Sequence, residues 1–467
     1  MPAPGAGMND RRCHCAGLDR SRFLRRAAAE AGRGLPAIEP GMPTPAGTGL
    51  SRRSFLARGS GLAVAVYGAN QLGFGALQEG VAAAASAGPQ RVLVSIFLPG
   101  GADGMSVLAP TGDPRYRQLR PTLAQSASAG TAFSEDSRLR WSPSAAGLST
   151  LHGEGKVTVL PAIGYDHPDQ SHFTSRHFWE VGATDTRARY GWLGRYLDVA
   201  GTDDNPLQGL SLDGDLSPAL APAKVPVAAV ERPEDFSFWV PGVGDPVEQP
   251  MLAAFGDLGR LTTTDPVTAG ARKVAREVDS VRRQLAPFAT PDGQPSYHSP
   301  VTYPDGDFAQ RLAALGAMLA AGLPLRCVTI NADGGYDTHS GQADSLPTDV
   351  KGTCDAVLAF QRDIEARGLA DRVLVTVWSE FGRRPEENGS GTDHGAAGAA
   401  FLVGSKARGQ MVGEFPGLAT LDDDDNLRAT SDFRAMYCSL LEQWFNFDPA
   451  RVIPNASSFG RPALVKS

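Results

Sequence analysis

Four near-continuous apolar runs, rich in β-branched residues, break into loops of glycine, acids and histidine. Arg91 to Leu98 is followed by Pro99-Gly100-Gly101-Ala102-Asp103-Gly104, and Lys156 to Ile163 by Gly164-Tyr165-Asp166-His167. Leu325 to Ile330 leads into Asn331 through His339, and Arg372 to Trp378 into Ser379-Glu380-Phe381-Gly382-Arg383-Arg384. Apolar runs without alternation are what parallel strands look like when both faces are buried. Between them, apolar positions recur at helical spacing from Phe308 to Leu323 and from Pro347 to Gly368. This order predicts an α/β fold, a mostly parallel central sheet with helices on both faces. Ligands of such sheets bind outside the carboxyl ends of the strands, where the polar loops fall.

Residues 201–304 are rich in Pro, Gly and Asp and hold one clear helical pattern, Pro266 to Leu285. They are expected to form an insertion that caps the site. Near the end, Ser431 or Asp432 is placed to cap a helix running through Phe445. The acidic turn Asp422 to Asp425 reads as a solvated loop, since the ligand spacing of an EF-hand is absent.

Composition sharpens this picture. The 467 residues are 42% hydrophobic, enough for a large core, and the 54 Gly and 35 Pro fit many loops rather than disorder. The net charge of −7 is unevenly spread: residues 1–87 carry a net of +5, leaving −12 on the rest. An acidic body without a basic stripe argues against nucleic acid as a partner. No run approaches the roughly 18 apolar residues that a membrane span needs.

The basic leader carries its own signals. Ser51-Arg52-Arg53-Ser54-Phe55-Leu56-Ala57 resembles the twin-arginine export signal; a weakly apolar stretch, Gly59 to Gly68, and an A-x-A site, Ala85-Ser86-Ala87, follow it. The expected organisation is an N-terminal extension and signal over 1–87 and a mature domain over 88–467. The twin-arginine translocon would be a partner during export, and the mature protein would be periplasmic, extracellular or held at the envelope. Upstream, Cys13-His14-Cys15 lacks a second pair of metal ligands, and both Met1 and Met42 fit as starts. Cys327, Cys354 and Cys438 lie in apolar segments and read as buried thiols rather than a disulfide framework.

The chain has eight His. Five of them, His167, His172, His177, His339 and His394, lie in or beside loops that follow the apolar runs, with Asp103, Asp166, Asp337, Glu380 and Asp393 nearby. A mixed Asp/Glu/His set at one sheet edge suits divalent metals, singly or in pairs. Ser171 opens a helical segment, where a hydroxyl meets free N–H groups and the positive end of the dipole; it also suits a plain N-cap.

Taken in order, Arg-Arg-x-Phe-Leu, Gly-Gly-Ala-Asp-Gly, Ser-His-Phe, Asp-Thr-His, Ser-Glu-Phe-Gly-Arg and Gly-Thr-Asp-His-Gly resemble the domain-of-unknown-function 1501 family over about residues 51–445. This is a group of exported bacterial proteins similar to the alkaline phosphatase and sulfatase superfamily. The resemblance implies an alkaline-phosphatase-like sandwich and one or two divalent ions: zinc, manganese, calcium or iron. It implies Asp103, Asp337, His339, Glu380 and His394 as metal ligands and Ser171 as the nucleophile. Glu380-Phe381 stands where the superfamily commonly has Asp-His, so a nitrogen donor is missing there. Arg383 has the shape to grip an oxyanion at two points.

Each residue also has a structural reading. Asp103 suits a turn, and Glu380 suits an ion pair with Arg383 or Arg384. Asp337 and Asp393 suit outer partners of His339 and His394, while His172, His177 and Trp179 suit one packed helix face. The functional expectation is an exported metal-dependent hydrolase of phosphate or sulfate esters. The alternative is a non-catalytic protein of the same fold that binds an anionic glycan, a metal or an exported partner protein.

Overall fold

In a computed structural model that describes residues 90–236, 245–290 and 293–466, each of the four apolar runs becomes a strand. The twin-arginine motif, the Ala85-Ser86-Ala87 site and Cys13-His14-Cys15 lie outside the described residues. In chain order the strands around the site are β1 (Val92–Phe97), β2 (Val157–Gly164), β3 (Gly209–Ser211), β4 (Ala228–Ala229), β5 (Cys327–Asn331), β6 (Val373–Trp378), β7 (Arg383–Glu387), β8 (Thr392–His394), β9 (Gly398–Val403) and β10 (Ser431–Asp432). Eight of them form one sheet in the order β10-β2-β9-β6-β1-β5-β3-β4. All its strands run parallel except β9.

Among the described residues the helices of seven or more residues are α1 (Ala146–Gly153), α2 (His172–Val181), α3 (Trp192–Ala200), α4 (Asp245–Arg260), α5 (Pro266–Leu285), α6 (Asp307–Ala320), α7 (Gln342–Ala366) and α8 (Phe433–Ser439). Side chains alternate across each strand, so Val92, Val94 and Ile96 join one core with α1, α6 and α7. Leu93 and Phe97 join the other core with α2, α3 and α8. This is the expected α/β architecture, with helices on both faces of a mostly parallel sheet. Burial of each such side chain is worth about 1.5–3 kcal/mol. Cys327, Cys354 and Cys438 are buried free thiols, as their apolar settings suggested.

Three elements differ from the sequence expectation. Residues 201–304 are not simply a cap, because they contribute β3 and β4 to the sheet as well as the α4–α5 hairpin. The second long helix starts at Gln342, five residues before Pro347, because tertiary contacts hold its first turn: the Gln342 N–H donates to the Ser390 carbonyl at 3.0 Å. β9 is antiparallel, which brings the β7–β8 ribbon back to the carboxyl edge of the sheet.

Candidate metal centre

The loops after β1, β2, β5 and β6, together with the end of β8, meet at that carboxyl edge. Gly100 and Gly101, just after β1, take positive φ angles of 116° and 69°. A Cβ on Gly100 would lie 2.5 Å from the Asp337 backbone nitrogen, and one on Gly101 would lie 2.1 Å from the Phe381 ring. The turn needs glycine on both counts, conformational and steric. It lets the β5 and β6 loops close on each other.

The Phe381 ring, in turn, packs against His172 and His394, with centroids 5.0 and 4.7 Å apart. It supplies an apolar floor rather than a donor.

Three imidazoles converge above it. His339 Nε2 lies 2.9 Å from His394 Nε2, and these two nitrogens lie 3.1 and 3.3 Å from Asp337 Oδ1. His172 Nε2 approaches Asp337 Oδ2 at 3.5 Å and is buried with no hydrogen-bond partner. Each ring is aimed from behind. His172 Nδ1 is 2.8 Å from Glu380 Oε1, His394 Nδ1 is 2.8 Å from the Gln170 carbonyl, and His339 Nδ1 is 3.3 Å from Asp393 Oδ1. Carboxylates and carbonyls only accept, so every Nδ1 must carry the proton. A neutral ring then presents a lone pair at Nε2.

Three nitrogen lone pairs and a carboxylate facing one another repel unless a cation lies among them. Ligands of a tetrahedral zinc-type ion with bonds of about 2.0–2.1 Å stand roughly 3.3 Å apart, close to the spacing found here. His172, Asp337 and His394 together have the geometry to hold such an ion, with His339 beside them. The residues therefore fit a divalent metal.

The electrostatics of Asp337 and His394 agree. Burial is the largest influence on Asp337 and pushes its carboxyl upward, but the Arg383 hydrogen bond and charge outweigh it and keep the group low and ionised. Burial, aided by the Arg383 and His172 charges, lowers His394 and favours the neutral, ligating ring. The bond to Glu380 works the other way at His172, raising it toward the protonated ring, whose Nε2 proton a bound cation would have to displace.

The expected ligands separate in this frame. Asp337, His339 and His394 come together; Asp103 and Glu380 do not join them. Asp103 is buried, with Oδ2 2.5 Å from Arg120 Nη1 and Oδ1 3.0 Å from Nη2, so an ion pair consumes its carboxylate. Glu380 faces outward from the cluster: Oε1 accepts from His172 and from the Gly100 N–H at 3.0 Å, and Oε2 from Ser379 Oγ at 2.8 Å. It orients His172 and does not itself reach the cluster. Replacing it with glutamine keeps the shape but weakens the hold on His172, and metal affinity should fall about 10–100-fold, as for other outer partners of ligating histidines. Competition with a chromophoric chelator measures this.

Arg383 is also reassigned. Its side chain is fully buried; Nε donates to the Gly101 carbonyl and Nη1 to the Thr392 carbonyl, both at 2.7 Å, while Nη2 meets Asp337 and the Gly100 carbonyl. A guanidinium committed in this way positions Asp337 and cannot grip a substrate. Ser171 lies between Gln170 and His172, both of which touch the cluster, and its side chain makes no capping bond to α2. His177 contacts the Asp185 carbonyl instead, and Asp333 serves Arg311 and the Phe308 N–H.

His172, one of the five loop histidines and equally suited by sequence to helix packing, joins the cluster. The available signal was its place one residue into a helix after a polar loop, where a side chain can turn back over the strand ends.

The site thus defines an α/β protein with a His/Asp cluster at the carboxyl edge of its sheet. A family model described as "Protein of unknown function (DUF1501)" matches residues 162–443, more than half of the chain, and the chain belongs to that family. No curated protein matches it in sequence. Among solved structures it is similar to the sulfatase PsFucS1 from Pseudoalteromonas sp., at 10% identity over 79% of this chain and 72% of that one, with a TM-score of 0.27. It is also similar to the phosphonate monoester hydrolase SpPMH from Silicibacter pomeroyi, at 12% identity over 79% and 75% of the two chains, with a TM-score of 0.30.

Proposed function

We propose that this protein is an exported, metal-dependent hydrolase of phosphate or sulfate esters with Ser171 as its nucleophile. The observation that carries the reading is the convergence of three imidazole Nε2 lone pairs on Asp337, each ring aimed through its Nδ1. His172, Asp337 and His394, with His339 beside them, would hold a divalent ion, which would supply positive charge to an anionic ester when bound. Around it, the chain's own residues set the geometry. Arg383 and the Gly100–Gly101 turn hold Asp337, Glu380 holds His172, and Phe381 keeps the floor dry. The N-terminus of α2 offers N–H groups and a positive dipole to an anionic ester. Ser171 Oγ would give up its proton to solvent and bond to phosphorus or sulfur as the ester oxygen departs with its electron pair and takes up a proton; water would then release the transferred group from Ser171. The substrate is a small anionic ester, including sulfated or phosphorylated glycans, and export rests on the Ser51–Ala57 motif.

One observation favours the non-catalytic alternative, in which the cleft binds an anionic glycan, a metal or a partner protein. Arg383, the guanidinium expected to grip an oxyanion, is tied to backbone carbonyls and Asp337. A panel of phosphate and sulfate esters separates the two. Ser171→Ala should lose turnover by orders of magnitude while keeping its metal. Metal-loaded wild type without activity on any ester would establish the binding reading instead.

A further inference from the structure

We infer that Gln342 is a positioning residue of the metal centre, its buried carboxamide tying the two ligand-bearing segments to each other and to the Asp103–Arg120 ion pair. The inference rests on the reading that His172, Asp337, His339 and His394 hold a divalent ion.

Gln342 opens α7 and is only 2% exposed. Its Oε1 accepts from Thr338 Oγ1 at 3.0 Å and from Thr392 Oγ1 at 2.7 Å. Thr338 stands between Asp337 and His339 in the chain, and Thr392 stands two residues before His394. Both lone pairs of one oxygen therefore join the segments that carry three of the four candidate ligands. Thr338 is turned into the core while the side chains of Asp337 and His339, on either side, are about half exposed. Fixing the hydroxyl between them fixes how far both ligands project.

The other end of the carboxamide is anchored just as fully. Nε2 donates to Asp103 Oδ2 at 2.8 Å and to Ser106 Oγ at 3.3 Å. Asp103 is held by Arg120, whose Nε and Nη2 donate to the Pro385 and Arg384 carbonyls of β7 at 2.9 Å each. β7 pairs with β8, so the chain of bonds closes on itself: β8, Gln342, Asp103, Arg120, β7. A backbone bond from the Thr392 N–H to the Thr338 carbonyl, at 3.0 Å, runs alongside it. Thr338, Thr392, Gln342, Asp103 and Arg120 are all buried, so nothing in the circuit is left to water. The family resemblance placed Asp103 on the metal; the structure places it in the brace beneath.

The test compares two double variants of the full-length protein. Thr338→Val/Thr392→Val removes both hydroxyl donors at nearly constant volume, and Thr338→Ser/Thr392→Ser keeps the donors and loses the methyls. Zinc(II) affinity is read by competition with a chromophoric chelator, and thermal stability is measured without metal. The valine pair should bind zinc about 10–100-fold more weakly than wild type. The serine pair should stay close to wild type even if its metal-free stability falls. Where the valine pair does not fold, Thr338→Val alone is judged by the same criterion. Wild-type affinity in the valine variant, or an equal loss in the serine pair, overturns the positioning role while leaving the metal site standing. Wild-type protein that takes up no zinc overturns both.

Discussion

Elemental analysis of the purified protein should find a stoichiometric divalent metal that is lost from His172→Ala and from His394→Ala. Each substitution removes an Nε2 from a cluster whose other members cannot move to replace it, since Glu380, Gln170 and Asp393 fix the remaining rings from behind. The loss should exceed the roughly 10–100-fold expected for an outer partner such as Glu380. Asp337→Asn should be at least as damaging, because it removes the anion on which the imidazoles converge and leaves Arg383 facing the site with its charge uncompensated. Stripping the metal from wild type with a chelator should lower its melting temperature, as loss of a ligand bound only by the folded state requires. A His172→Ala protein with full metal content would remove that residue from the site and restore the packing role suggested by sequence.

The second large effect is on stability. Asp103→Asn should destabilise the fold by about 3–5 kcal/mol, the usual cost of leaving one partner of a buried ion pair alone. Neither side chain of the Asp103–Arg120 pair has any exposure to water that could relieve the remaining charge. Urea titration measures the loss. The pH dependence has a definite sign. Burial is the largest influence on Asp103 and raises its carboxyl, yet the Arg120 charge and hydrogen bonds together bring it below the ordinary value of 3.8. The stabilisation is therefore complete above that value and disappears as pH falls through the lower, folded-state value. The variant should lack this part of the acid-side loss.

These two predictions bear on residues that sequence had grouped together. Asp103, Asp337, His339, Glu380 and His394 all follow buried strands or flank the returning ribbon, and composition gave no means of dividing them. Three reach the cluster, one aims a histidine and one anchors a brace. Similarly, local sequence favoured Ser171 as an N-cap and let His172 pack a helix face, while the family resemblance implied Ser171 as a nucleophile. Arg383 and Arg384 are adjacent in sequence, yet the first is fully buried within the frame.

What the sequence determined by itself is the architecture. Continuous apolar runs placed β1, β2, β5 and β6 within a residue or two, because a strand buried on both faces leaves its mark at every position. Helical spacing located Pro266–Leu285. The location of the candidate site followed, since polar loops at the carboxyl ends of parallel strands have only one edge to occupy. β3 and β4 escaped because two or three residues carry no period, and the reversal of β9 is a matter of pairing rather than composition. The role of each polar side chain was decided only by tertiary structure. His172 meets Glu380 across 208 residues, and Asp103 meets Gln342 across 239. A carboxylate becomes ligand, orienter or buried counter-ion according to which distant donor it faces, and its local sequence does not contain that donor.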